Sequence, residues 1–148
     1  MTSEPGFDPK CDFCLIVRGE AEAEVVCEGE NWVAFFPVEP ATPGHTLVIP
    51  RAHVRDLWKV PHSLEVDLMR AVVHVGRAIE EALSPAGMNL ITSAGSAAEQ
   101  SVFHLHLHLV PRWREDGFGQ IWPTGSRWTD ERIDKAAERV RAACRQAE

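Results

Sequence analysis

Three histidines occupy every second position of the apolar stretch FHLHLHLVPR: His104, His106 and His108, separated by Leu105 and Leu107. On an extended chain, residues two apart share a face and lie about 7 Å from one another. The imidazoles therefore line one surface, and Leu105, Leu107 and Leu109 line the other. A solvated sheet face would mix threonine, lysine and glutamate; this one repeats the single side chain whose ordinary pKa lies near neutrality. Two chemistries are open. A metal can be bound, but the outer histidines would stand about 13 Å apart, so one tetrahedral ion takes at most one or two of them. Alternatively the central imidazole attacks an electrophile, while its neighbours donate hydrogen bonds to the developing charge and to the leaving group.

Other residues of chemical interest stand in the first half of the chain. CDFC places Cys11 and Cys14 at metal-ligand spacing, which a redox dithiol would also use, but Leu15 to Gly19 lack the strand–helix context of that second reading. Four cysteines, at 11, 14, 27 and 144, with only the first two close in sequence, suit a metal site in a reducing compartment rather than a disulfide framework. Cys27 and Cys144 read as small core residues. His45 follows the loop PVEPATPG at the mouth of an apolar run, a place that holds a side chain in fixed geometry. His62 and His74 read as surface residues.

The elements that must position these groups follow from periodicity. Val25 to Glu28 and Trp32 to Phe36 read as a hairpin, and Thr46 to Ile49 as a third strand. Leu64, Leu68, Val72, Val75, Ile79 and Leu83 recur at three- and four-residue steps, predicting one long helix capped by Ser63 and stopped by Ser84 to Gly87. Met88 to Thr92 and Val102 to Val110 complete a set of about five antiparallel strands. Thr129, Asp130 and Glu131 open a last helix with Ile133, Ala136, Ala137, Val140 and Cys144 as its inner face. The expected architecture is α+β: an antiparallel sheet, one main helix packed on it and a C-terminal helix. Residues 1–10 read as an arm, 11–112 as the domain carrying the chemistry, and 113–148 as an extension containing Trp113, Trp122 and Trp128.

With 148 residues and 45% hydrophobic content, one compact domain is expected. A formal charge of −7 without any basic run argues against a nucleic acid polymer as partner, though a small anion remains compatible. There is no apolar stretch of membrane-spanning length and no signal-peptide pattern, so a soluble, cytoplasmic protein is expected.

HLHLHLV resembles the His-x-His-x-His-x-x signature of the histidine triad (HIT) family of nucleotide hydrolases and transferases, and PATPGHTLVIPRAHVRDL and GSAAEQSVFHLHLHLVPR resemble that family's longest blocks in the right order. The likeness spans Cys11 to Arg112. It implies the HIT-like fold, a homodimer and a small-molecule nucleotide substrate. It also implies that His106 is the nucleophile attacking the α-phosphorus of a nucleoside phosphoramidate, nucleoside anhydride or dinucleoside polyphosphate, through a nucleotidyl-histidine that water resolves. His108, His45 and Ser101 complete the implied catalytic set; Gln100, Ser93, His108, Phe13 and Phe35 are the implied substrate contacts. The intact His108 implies hydrolysis rather than transfer. In the zinc-bearing, bacterial-type branch, and in the related galactose-1-phosphate uridylyltransferases, the cysteine pair joins two histidines, which implies a structural zinc site of Cys11, Cys14, His53 and His104. Pro37 stands where relatives commonly carry a ribose-binding acid, Ser93 where they carry Asn or Gln, and Glu99 where glycine precedes Gln100. Two rival readings remain: a zinc-dependent hydrolase with a catalytic metal, and a non-catalytic nucleotide-binding or interaction protein.

Overall fold

The computed structural model describes residues 6–147, so residues 1–5 of the expected arm lie outside the described residues. The chain divides into two units, residues 1–118 and residues 119–148. In the first, a short helix α1 (Asp12–Val17) precedes strands β1 (Glu24–Glu28), β2 (Trp32–Phe36) and β3 (Thr46–Pro50), helix α2 (His62–Leu83), and strands β4 (Gly87–Ile91) and β5 (Leu107–Arg112). The five strands form one sheet in the order β1-β2-β3-β5-β4, every neighbouring pair antiparallel. This is the expected α+β sheet with its main helix.

Alternation along the strands gives the sheet two buried faces. Ala34, Val48, Leu105, Leu107 and Leu109 pack against Leu68, Ala71, Val72, Val75 and Ile79 of α2, as the helical period predicts. Val33, Phe35, Leu47 and Ile49 turn the other way and meet Cys11, Phe13 and Cys14 around α1. Central strand β3 is thus buried along its whole length, which explains why TLVIP is continuously apolar. Cys27 and Trp32 pack on the edge of the helix-side core.

Several boundaries differ from expectation. The strand expected over Val102 to Val110 begins only at Leu107, because Leu105 N–H donates to Val54 O at 2.6 Å, outside the sheet ladder. The N-cap of helix α2 is Pro61, two residues before Ser63: Leu64 N–H donates to Pro61 O, and no side chain caps the helix. Ser84 ends it in the left-handed region at φ +46°. After β5, Asp116 accepts from the Arg112 guanidinium and from the amides of Trp113 and Phe118, closing a tight turn.

In the second unit, helix α3 (Asp130–Gln146) is capped by Thr129 Oγ1, which accepts from Arg132 N–H, and Lys135 pairs with Glu131 at 2.6 Å. The inner face expected there is not a buried one: α3 contains no buried residue, and Ile133, Val140 and Cys144 are exposed, as are Trp122 and Trp128. Capping and charge pairing hold this helix. No helix among the described residues is long and apolar enough to cross a membrane.

The loop between β2 and β3 ends in a turn, Thr42-Pro43-Gly44-His45, closed by His45 N–H to Thr42 O at 3.1 Å. Proline in its second position and Gly44 at φ +87° in its third are the requirements of a type II turn. A Cβ on Gly44 would come within 2.3 Å of Leu83 Cδ1 and 3.2 Å of Pro111 Cγ, whereas one on Gly76 in α2 would meet Met88 Cε at an ordinary 3.6 Å. Chemical denaturation should therefore separate the two substitutions by sign: Gly44→Ala is expected to destabilise by about 1–2 kcal/mol or more, and Gly76→Ala to stabilise by roughly 0.5–1 kcal/mol.

Candidate active site and metal centre

On the face opposite α2, four side chains from distant parts of the chain converge. Cys11 is the N-cap of α1 and Cys14 lies in its first turn, so one helical turn brings both sulfurs to the same side. His53 follows β3 and His104 precedes β5. Their ligand atoms all lie within 4.8 Å of one another. His104 Nδ1 is 3.5 Å from both Cys11 Sγ and Cys14 Sγ, and His53 Nδ1 is 3.3 Å from Cys14 Sγ. With ordinary zinc–sulfur and zinc–nitrogen bond lengths, a tetrahedron has sulfur-to-nitrogen edges of about 3.6 Å, so the donor set fits a tetrahedral ion such as zinc. The protonation states agree. His104 Nε2–H donates to Pro50 O at 2.9 Å, which leaves Nδ1 as the lone-pair atom facing the sulfurs. Burial, with His53 and His106 adding to it, pushes His104 down to about 4, so its ring is neutral. Burial pushes the Cys14 thiol up to about 11, so a thiolate there requires a cation beside it. Asp8 N–H points at the same sulfur from 3.5 Å, and Gly6 O accepts from His53 N–H, binding residues 6–8 to the centre.

His104 then acts a second time through its backbone. Its carbonyl oxygen lies 2.7 Å from His106 Nδ1. A carbonyl can only accept, so neutral His106 carries its proton on Nδ1 and keeps an unshared pair on Nε2. Burial holds the His106 pKa below its ordinary value, although the bond to His104 opposes the shift. Phe13 stands against this ring edge-on, with centroids 5.2 Å apart, and touches His104 and Phe35 in the same way at 5.9 and 5.5 Å.

His108 is set with the opposite polarity. Ala41 N–H donates to His45 Nδ1 at 3.0 Å, and a backbone amide can only donate. His45 therefore carries its proton on Nε2, which donates to His108 Nδ1 at 2.9 Å, and the His108 proton falls on Nε2. Burial, followed by the nearby His106 and His45, pushes His108 down to about 4; burial alone lowers His45. Two adjacent imidazoles, 4.9 Å apart at their centroids, thus hold opposite tautomers: a lone pair on His106 and a donor on His108.

Both rings open into a cleft of about 800 Å³ that Phe13, Phe35, Pro37, Val38, Leu47 and Ser101 also line. The structure thus brings together His106, His108, Ser101, Phe13 and Phe35, with His45 directly behind His108. Gln100 and Ser93 are not among the cleft's lining residues. Gln100 is 4% exposed and is committed to backbone: Oε1 accepts from Gly95 N–H at 2.8 Å, and Nε2 donates to Arg55 O and Val102 O. Its side chain thereby holds the loop before Ser101. Glu99, in glycine's expected place, adopts φ +66°, so the left-handed backbone persists without glycine. Sequence reasoning missed the groups that set the tautomers, Ala41 N–H, Pro50 O and His104 O, because backbone atoms leave no signature in residue types.

A profile of the HIT domain matches residues 18–115. The chain is 39% identical to the protein called Protein hit of Bacillus subtilis over 115 residues, 77% of this chain and 79% of that protein. It is 31% identical to adenylylsulfatase HINT3 of Arabidopsis thaliana over 131 residues, 88% of this chain and 65% of that one. Among solved structures, a zinc-bound histidine triad family protein from Mycobacterium smegmatis is 36% identical, with a TM-score of 0.69, covering 94% of this chain and 98% of the other.

Because the four converging side chains close the coordination shell with protein ligands alone, metal removal should act on the fold. Elemental analysis is expected to find one tetrahedral metal ion per chain. Stripping it with a strong chelator, or substituting Cys14→Ala, should lower the thermal midpoint together with activity. Lost turnover at an unchanged midpoint would instead indicate an open, catalytic metal.

Proposed function

The chain belongs to the HIT domain family, and from that premise we propose that it is a nucleotide hydrolase acting at an α-phosphorus through a covalent nucleotidyl-His106. The observation that carries this reading is the pair of opposite tautomers in one cleft. His106 Nε2 attacks phosphorus as the bond from phosphorus to the leaving group breaks; a leaving nitrogen departs as the amine with a proton taken from solvent, and a leaving anhydride oxygen departs as the anion. No proton need leave the attacking ring, because Nδ1–H stays with His104 O and the positive charge of the adduct develops beside that carbonyl. His108 Nε2–H and the Ser101 hydroxyl are donors for the non-bridging oxygens and the leaving group. Water then attacks phosphorus and loses a proton to solvent as the phosphorus–Nε2 bond breaks, releasing the nucleotide and restoring neutral His106. Phe13 and Phe35 offer apolar surface to the base. The metal, when bound at Cys11, Cys14, His53 and His104, supplies a cross-link that braces the strand start; zinc is the ion we assign there. We take 11–112 as the catalytic domain and a homodimer in the cytoplasm as its working state.

The cleft also supports a ranking of substrates. Asp12, Glu22, Glu24 and Glu39 line it, and no lysine or arginine among the described residues does, which disfavours a long polyphosphate relative to a nucleoside phosphoramidate. The relative named adenylylsulfatase adds adenylyl sulfate to the substrates worth testing.

Mixing the protein with an adenosine or guanosine 5′-phosphoramidate and quenching early should trap an acid-labile nucleotidyl adduct on His106. His106→Gly should lower kcat on the order of 10⁴-fold or more. Turnover that survives this substitution would overturn the proposal. Acid dependence gives a second test. Burial, with His106 and His45 adding to it, pushes His108 down to about 4, and burial lowers the attacking His106 as well; a depressed basic group stays neutral to lower pH. The acid limb of kcat/KM should therefore lie below the roughly 6.5 of an ordinary imidazole, the activity falling only as the pH drops past that value. A decline centred near 6.5 would contradict the buried, neutral arrangement.

A further inference from the structure

The polarity of the His45–His108 pair originates in one backbone amide, and that amide belongs to a loop, Pro37 to Gly44, with little regular structure of its own. Something must hold the Ala41 amide aimed at His45 Nδ1. The residue next to it does so from both ends. Thr42 is 4% exposed. Its Oγ1 donates to Pro111 O on β5 at 2.8 Å, and its carbonyl accepts from His45 N–H at 3.1 Å. Pro111 lies three residues beyond His108 on the same strand, and Leu47 on β3 is the register partner of His108. The hydroxyl therefore ties the loop that aims His45 to the strand that bears His108. Beyond the turn, Thr46 Oγ1 donates to Gly44 O at 2.8 Å and fixes the far side.

We propose that Thr42 is a positioning residue for the triad: by anchoring the Ala41–His45 turn to β5, it fixes the direction of the Ala41 N–H, His45, His108 hydrogen-bond chain and so presents His108 to the cleft as a donor. The consequence for the reaction rests on the hydrolase reading above; the polarity of the chain does not. The chain carries polarity rather than protons. A second proton on His45 Nδ1 would face the Ala41 N–H, so His45 has no site from which to resupply His108, and the pair orients charge without transferring any.

The test combines ring-nitrogen NMR with kinetics. In the resting protein labelled with ¹⁵N-histidine at neutral pH, His45 and His108 should both be neutral, with the proton on Nε2. Thr42→Val keeps the shape and removes the hydroxyl. It should blur the tautomer preference of both rings and lower kcat for an adenosine phosphoramidate roughly tenfold, the worth of one orienting hydrogen bond, while KM stays within about twofold. Thr42→Ser, which retains the hydroxyl, should restore both readings. A proton on Nδ1 of either ring in the unmodified protein would overturn the proposal, as would Thr42→Val with unchanged nitrogen shifts and kcat. If Thr42→Val does not fold, Thr42→Cys, a weaker donor of similar size, takes its place under the same criteria. Should the unmodified protein turn over no nucleotide, the hydrolase reading fails, while the nitrogen shifts still decide the polarity.

Discussion

The arrangement depends on the hydrogen bond from His106 Nδ1–H to the carbonyl of His104, 2.7 Å long and buried. Imidazole has two nitrogens and, when neutral, one proton, so whichever nitrogen is bonded to a fixed acceptor leaves the other as the lone pair. Here the acceptor is two residues upstream on the same chain. Its position is determined by whatever holds His104, whose ring is fully buried and points its Nδ1 at two cysteine sulfurs. Anything that loosens the ring of His104 moves the carbonyl, and with it the direction in which His106 faces the cleft.

That dependence gives the cysteine–histidine cluster a purpose beyond stability. It joins residues 6–8, α1, the segment after β3 and the segment before β5 on a face of the sheet that α2 does not cover. Phe13, one residue before Cys14, passes the constraint on by packing edge-on against both His104 and His106. The helix side is an ordinary apolar core, with Leu105, Leu107 and Leu109 sunk against α2. The same alternating segment thus anchors one face with its leucines and carries its chemistry on the other with its histidines.

Much of this was legible in residue order because alternation and helical period are properties of side chains. HLHLHLV announced both faces, and the three- and four-residue steps announced α2; Cys-x-x-Cys alone pointed to a metal, and only the family resemblance implied His53 and His104 as its other ligands, now found together with the cysteines. What escaped was governed by backbone. The start of β5 was placed too early because the Leu105 amide bonds to Val54 rather than to a neighbouring strand, a choice no side-chain pattern records. The resemblance implies a substrate contact for Gln100; the structure commits both ends of that amide to main-chain partners. The apolar stripe on α3 is exposed, because periodicity reports that a face is apolar, not that anything covers it. Thr42 drew no attention at all, since a threonine between prolines reads as loop filler until its hydroxyl is seen on β5.

The most direct test of the central claim is the position of the phosphorus on the trapped histidine. Denaturing the intermediate and recording phosphorus–nitrogen couplings distinguishes attachment at Nε2 from attachment at Nδ1. If the His104 carbonyl holds the proton on Nδ1, the adduct must be the Nε2 isomer. Phosphorus on Nδ1 would mean that this nitrogen is free in the working protein, and the hydrogen bond from which the arrangement follows would not be the one that directs the reaction.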